Sequence, residues 1–134
     1  MIDRRCTIAL VDDDPRVLES LGEFFESSGY VVRAYPSAKA VIGAGLGNVD
    51  CLITDIGMAA LDGFELHGLV KSVRPDLPVF LITGRHVMGD KQRALARGVS
   101  GFFRKPFDGP ALLAAIDYAV RPHGGDNAQF HCKS

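Results

Sequence analysis

Charge of one sign is what this sequence has least of: 15 Lys and Arg face 16 Asp and Glu, leaving a net charge of -1. A chain so balanced has no overall electrostatic footing on nucleic acid or an anionic membrane. Long apolar runs are missing as well. In the opening stretch MIDRRCTIALVDDD the apolar run breaks at Asp12, far short of a signal-peptide core or a membrane span. A cytoplasmic protein without membrane contact is therefore expected. Cysteine is scarce: Cys6, Cys51 and Cys132 are widely spaced, no CxxC pair occurs, and His123, His131 and Cys132 lack the spacing of a structural zinc site. Buried thiols in a reducing compartment are the expectation. The chain also has no internal repeat and no low-complexity segment.

What is present fits one domain. At 134 residues, with 47% hydrophobic and 23% charged residues, the chain can bury a substantial core and has no room for a second domain of ordinary size. Residues 6 to 11, 30 to 35, 51 to 55, 78 to 83 and 101 to 107 read as five short strands. Those at 51 and 78 are apolar without polar alternation, the mark of strands covered on both faces. Helical periodicity lies between them. Asp14 before Pro15 starts a helix with Val17, Leu18, Leu21, Phe24 and Phe25 on its face, and Gly29 closes it. Ser37 caps a short helix to about Ala44. Leu66, Leu69, Val70 and Val73 form the third helical face, with His67 on the solvated side. A polar fourth helix spans Asp90 to Arg97 with Gly98 as its stop, and Asp108 caps a fifth whose face is Leu112, Leu113, Ile116 and Val120. Residues 123–134 have no periodicity and read as a flexible tail or the start of a linker, leaving residues 1–122 as the domain. GAGLG at residues 43 to 47 follows a helix and lacks GxGxxG spacing, so it reads as a connecting loop. Five strands alternating with five helices predict an α/β parallel sheet covered on both faces.

In such a sheet, ligands sit at the carboxyl ends of the strands. The strand ends carry Asp12 and Asp13, Asp55, Thr83 and Lys105. Three crowded carboxylates repel one another unless a hard divalent cation and a lysine neutralise them, which predicts Mg²⁺. Carboxylate oxygens, a metal and a lysine suit an incoming phosphoryl group, whose spread charge needs cations around it. The Thr83 hydroxyl can donate to the same group.

The acidic pair in VDD, the aspartate of LITD followed by MxxxDG, the hydroxyl in LITG and the KPF after the last strand occur in that order. Together they resemble the receiver domain of two-component response regulators, a CheY-like family, from about Thr7 to Val120. The phrasing around LITG and GFFRKPF is similar to receivers of the nitrogen-fixation regulator type attached to helix-turn-helix outputs. The resemblance implies a three-layer flavodoxin-like (βα)5 fold. It also implies that Asp55 accepts a phosphoryl group from a histidine kinase or phosphotransfer protein, so that the chain assists its own phosphorylation and dephosphorylation without being an enzyme. Asp13, Asp55 and the Gly57 carbonyl would bind Mg²⁺, Asp12 would act through a water, and Lys105, before a usually cis Pro106, would pair with phosphate. Thr83 and Phe102 match the switch positions, and Gly57 and Arg85 match positions that tune phosphate lifetime. An output domain or partner protein would use the face of helix 4, strand 5 and helix 5, and the resemblance also allows a homodimer on phosphorylation. Direct nucleic-acid contact by this chain is not expected, although transcription regulation through an output domain is. Ala59 departs from the proline usual in the family, which implies a freer loop.

Bland readings compete. Asp14 is taken as a helix cap and Asp62 as turn chemistry. Lys91, Arg93, Arg97 and Arg104 read equally as a solvated basic face or as part of a partner surface. Two other functions remain open: a docking module that works without phosphorylation, and a haloacid-dehalogenase-type phosphohydrolase. The latter wants DxDx[TV], which Asp12 and Asp14 begin but Arg16 breaks.

Overall fold

The apolar runs become the inner strands of one sheet. In the computed structural model, which describes residues 5–58, 60–85 and 87–120, β1 (Thr7–Val11), β3 (Cys51–Asp55) and β4 (Val79–Thr83) are buried at every position. The remaining strands, β2 (Val31–Tyr35) and β5 (Gly101–Arg104), are partly exposed because they form the two edges. All pairings are parallel, in the order β2-β1-β3-β4-β5. Parallel neighbours need crossovers, and five helices alternate with the strands: α1 (Pro15–Ser27), α2 (Ala38–Ala44), α3 (Gly63–Val73), α4 (Asp90–Ala96) and α5 (Gly109–Val120).

Side-chain alternation along the strands builds two cores. Ala9, Val11, Leu52, Val79 and Leu81 face Val41 of α2, Phe64, Leu66 and Val70 of α3, and Ala94 of α4. On the other side Ile8, Leu10, Ile53, Phe80 and Ile82 meet Leu21 and Phe25 of α1 and Leu112 and Ile116 of α5. The result is the expected three-layer flavodoxin-like fold.

Local signals set the helix starts. Asp14 accepts from the Arg16 N–H with Pro15 in the first turn, Ser37 accepts from the Ala40 N–H, and Asp108 from the Ala111 N–H. Asp62 makes a reciprocal capping box with Glu65, so its role is indeed local. Each such cap contributes about 1 kcal/mol. Among the described residues no helix is long and apolar enough to cross a membrane.

Three expectations are corrected. His67 is buried at 3% exposure, not solvated, while Leu69 and Val73 are 45% and 71% exposed. The cause is how α3 meets the sheet: a Cβ on Gly63 would lie 2.6 Å from the Asp55 carbonyl oxygen, so backbone rests on backbone there. The stripe that follows from Gly63 at helical spacing is Leu66, His67 and Val70, and it faces inward. The third correction is Cys6, which is disulfide-bonded, whereas Cys51 is a free buried thiol whose pKa burial pushes up. His123, His131 and Cys132 lie outside the described residues, as do Ala59 and the whole of 121–134.

Candidate functional site

The parallel register gathers the polar strand ends at one edge. Val11 is level with Thr54, so Asp12 emerges beside Asp55, and Asp55 is level with Ile82, one residue short of Thr83. Thr83 is level with Arg104, and its carbonyl accepts from the Lys105 N–H at 2.7 Å, placing Lys105 across the same edge. The order reverses between β1 and β3, the place where an open α/β sheet leaves a crevice for a ligand.

Asp12 is fully buried, Asp55 is 7% exposed, and Asp13 is exposed. One ligand atom from each of the three lies within 4.8 Å of the others. Lys105 Nζ sits 3.0 Å from Asp12 Oδ2 and 3.8 Å from Asp55 Oδ1. The other Asp12 oxygen, Oδ1, accepts from the Asp14 N–H at 2.9 Å. Burial and the Asp12 carboxylate push the Asp55 pKa upward, and Lys105 only partly opposes them. The cluster is thus short of positive charge, and an all-carboxylate donor set is what a hard divalent cation prefers.

Thr83 is buried at 1% exposure, and its Oγ1 accepts from the Arg85 N–H at 3.0 Å. Phe102 is half-buried against the α2–α3–α4 core, with the Arg104 guanidinium 5.1 Å from its ring centre. Gly57 is exposed, and the Arg85 Cδ lies 4.0 Å from where its Cβ would be. The Lys105–Pro106 bond is cis, as the resemblance implies.

Other candidates sit elsewhere or prove to have different tasks. Asp14 caps α1 and pairs with Arg16 at 3.3 Å, so the DxD pattern of a phosphohydrolase places only its first carboxylate in the cluster. Most of the basic face is engaged within the fold: Arg93 lies 3.9 Å from the Phe64 ring centre, Arg97 donates to the Phe64 carbonyl at 3.0 Å, and Arg104 donates to the Arg85 carbonyl at 3.2 Å. Sequence reasoning missed Gly63 and Asp90. Gly63 had a signal in the Asp-Gly pair after Asp55. Asp90 reads along the chain as one more polar residue in a weak helix, yet it is 3% exposed and holds Arg85 by two bonds.

Comparison with known proteins identifies the family. Residues 8–117 match the family model described as response regulator receiver domain. The transcriptional regulatory protein GlrR of Escherichia coli is 38% identical over 114 residues, which are 84% of this chain and 26% of that protein. The transcriptional regulatory protein FixJ of Bradyrhizobium diazoefficiens is 31% identical over 115 residues, 85% of this chain and 56% of that protein. The chain therefore spans from a quarter to about half the length of these relatives. The crystal structure of a response regulator receiver domain protein from Clostridium thermocellum superposes with a TM-score of 0.80 at 24% identity, covering 86% of this chain and 94% of that one. That last likeness concerns the fold alone.

Proposed function

This chain belongs to the response regulator receiver family of two-component signalling, and from that premise we propose that Asp55 is its phosphoacceptor. The observation that carries the proposal is the cluster of Asp12, Asp13 and Asp55 within 4.8 Å with Lys105 Nζ set against it. An Asp55 carboxylate oxygen bonds to phosphorus while the P–N bond of a phosphohistidine donor breaks. The imidazole leaves with the electron pair and takes up a proton, and an acyl phosphate remains on Asp55. The donor is a histidine kinase or phosphotransfer protein.

The remaining residues divide the work around that bond. Asp13, Asp55 and the Gly57 carbonyl hold Mg²⁺. Asp12 acts through a water, consistent with both its oxygens already accepting from Lys105 and the Asp14 N–H. The bound cation supplies the positive charge that the carboxylates lack and that a phosphoryl group needs. Lys105 moves to the phosphoryl oxygens, the Thr83 hydroxyl donates to them, and Phe102 packs inward behind it. Gly57 and Arg85 tune the lifetime of the phosphate, and the Arg85 stem lies beside Gly57, its Cδ 4.0 Å from where a Cβ there would be. The chain is a phosphoacceptor that assists its own phosphorylation and dephosphorylation, not a turnover enzyme.

The switch acts in the cytoplasm through the α4, β5 and α5 face on an output domain or partner protein, with homodimerisation on phosphorylation. Regulation of transcription is the output the relatives' names suggest for such an arrangement. The decisive measurement is intact mass after incubation with a small phosphodonor and Mg²⁺. One phosphoryl adduct on the wild type and none on Asp55→Asn is expected. An adduct that survives the substitution, or none on either protein, overturns the assignment.

A further inference from the structure

The β4–α4 connection holds a second buried carboxylate, and the reading above gives it no task. Asp90, the first residue of α4, is 3% exposed and has both oxygens taken by one side chain: Arg85 Nε at 2.9 Å and Arg85 Nη2 at 3.2 Å. The peptide of Arg85 is tied as well. Its N–H donates to Thr83 Oγ1 at 3.0 Å, and its carbonyl accepts from Arg104 Nη1 at 3.2 Å. Arg104 in turn lies over the Phe102 ring. One residue therefore joins the hydroxyl position, the aromatic position and the start of α4.

We infer that Asp90 is a positioning residue for the conformational switch: by clamping Arg85 it holds Thr83 and Arg104, and through Arg104 the Phe102 ring, in the resting arrangement. The inference rests on the phosphoacceptor reading of Asp55. When the Thr83 hydroxyl turns toward a phosphoryl group, it either parts from the Arg85 N–H or draws that peptide with it. Drawing the peptide pulls on a planar two-bond fork, which tolerates little displacement. Letting go of the fork leaves a buried carboxylate without its counter-charge, which the fold resists strongly. Either course costs free energy in the switched state and none in the resting state. A differential interaction of that kind is what sets the balance between two conformations. At position 90 asparagine keeps the size but loses the charge, so it loosens the clamp and leaves the rest of the loop in place.

The test is a titration with beryllofluoride and Mg²⁺, a phosphoryl mimic, on the whole chain. Wild type, Asp90→Asn, Arg85→Gln and the double variant are compared for apparent affinity and for the backbone amide resonances of Thr83 and Phe102. Each single variant is expected to bind roughly five- to tenfold more tightly than wild type. The double variant should gain no more than either single one, because one pair has been broken in all three. In the ligand-free variants the two amide resonances should already lie part of the way toward their bound positions. A structural role alone would lower thermal stability without moving either readout. Unchanged or weaker affinity in folded variants overturns the inference, as does a double variant whose effect is the full product of the singles. Should Asp90→Asn not fold, Asp90→Ser decides in its place, because Arg85 also stands beside Gly57. Absence of binding by wild type, or binding that persists in Asp55→Asn, removes the phosphoacceptor reading instead.

Discussion

Asp55 and Asp90 stand at the same edge of the sheet, at 7% and 3% exposure, and they are treated oppositely. Asp90 has an arginine to itself, with two charge-assisted bonds. Asp55 shares one lysine with Asp12, at the longer of two distances, and has Asp12 and Asp13 as like-charged neighbours. A buried carboxylate that is fully partnered can hold its neighbours in one arrangement. One that is left short of positive charge is suited to a counter-charge from outside, which on the proposed function is a divalent cation and then a phosphoryl complex.

That contrast can be broken most forcefully at Arg85. Arg85→Ala leaves the Asp90 charge buried and alone, and should cost about 3 kcal/mol in a urea titration at neutral pH. A loss of only a few tenths would mean that Asp90 finds another partner and that the two carboxylates are not so different. Next in size is the response to Mg²⁺. At a hundredfold excess over its dissociation constant the ion should stabilise wild type by about 2.7 kcal/mol, with most of that gain missing in Asp55→Asn.

A sharper form of the comparison is a difference in sign. Without Mg²⁺, Asp55→Asn should raise stability by roughly 1 kcal/mol, because it removes a charge the fold does not want. Asp90→Asn should lower it by about 1 kcal/mol, because it removes one the fold has matched. Effects of the same sign would remove the distinction. Since the folded-state pKa of Asp55 is raised above the ordinary 3.8, its cost grows as pH rises through the shifted value, and the advantage of Asn should grow with it.

His67 supplies the smallest expected effect and a third kind of buried group. Neither ring nitrogen has a hydrogen-bond partner among the described residues, and burial, with Lys71 and Arg97 adding to it, holds the pKa below 6.5. The unfolded chain therefore binds a proton where the folded one does not. Stability is full above 6.5 and declines as pH falls through the lowered value. A decline of under about 1 kcal/mol across that window, absent in His67→Leu, is the expected result of paired denaturation curves.

The contrast also marks how far the chain could be read without coordinates. Asp12, Asp55, Thr83 and Lys105 were legible because each stands at the end of a strand read from the sequence, and the ends of parallel strands must share an edge. The caps at Asp14, Ser37 and Asp108 were legible because capping is a contact within a few residues, whereas Asp62, read as turn chemistry, proves to cap α3. Asp90 was not, since its partner Arg85 matters only once the loop between them folds back. His67, Leu69 and Val73 were misplaced for a related reason: three nearby helical stripes on α3 are all apolar enough to face a core.

What the sequence determined by itself was therefore everything carried by period and by neighbours: the alternation of strands and helices, the helix starts, and the polar residues that close the buried strands. Only the tertiary structure decided which stripe of α3 turns inward, because that depends on Gly63 meeting the backbone at Asp55. It also decided which carboxylates have cations of their own, because an ion pair is a matter of distance in space, and the sequence records only order along the chain.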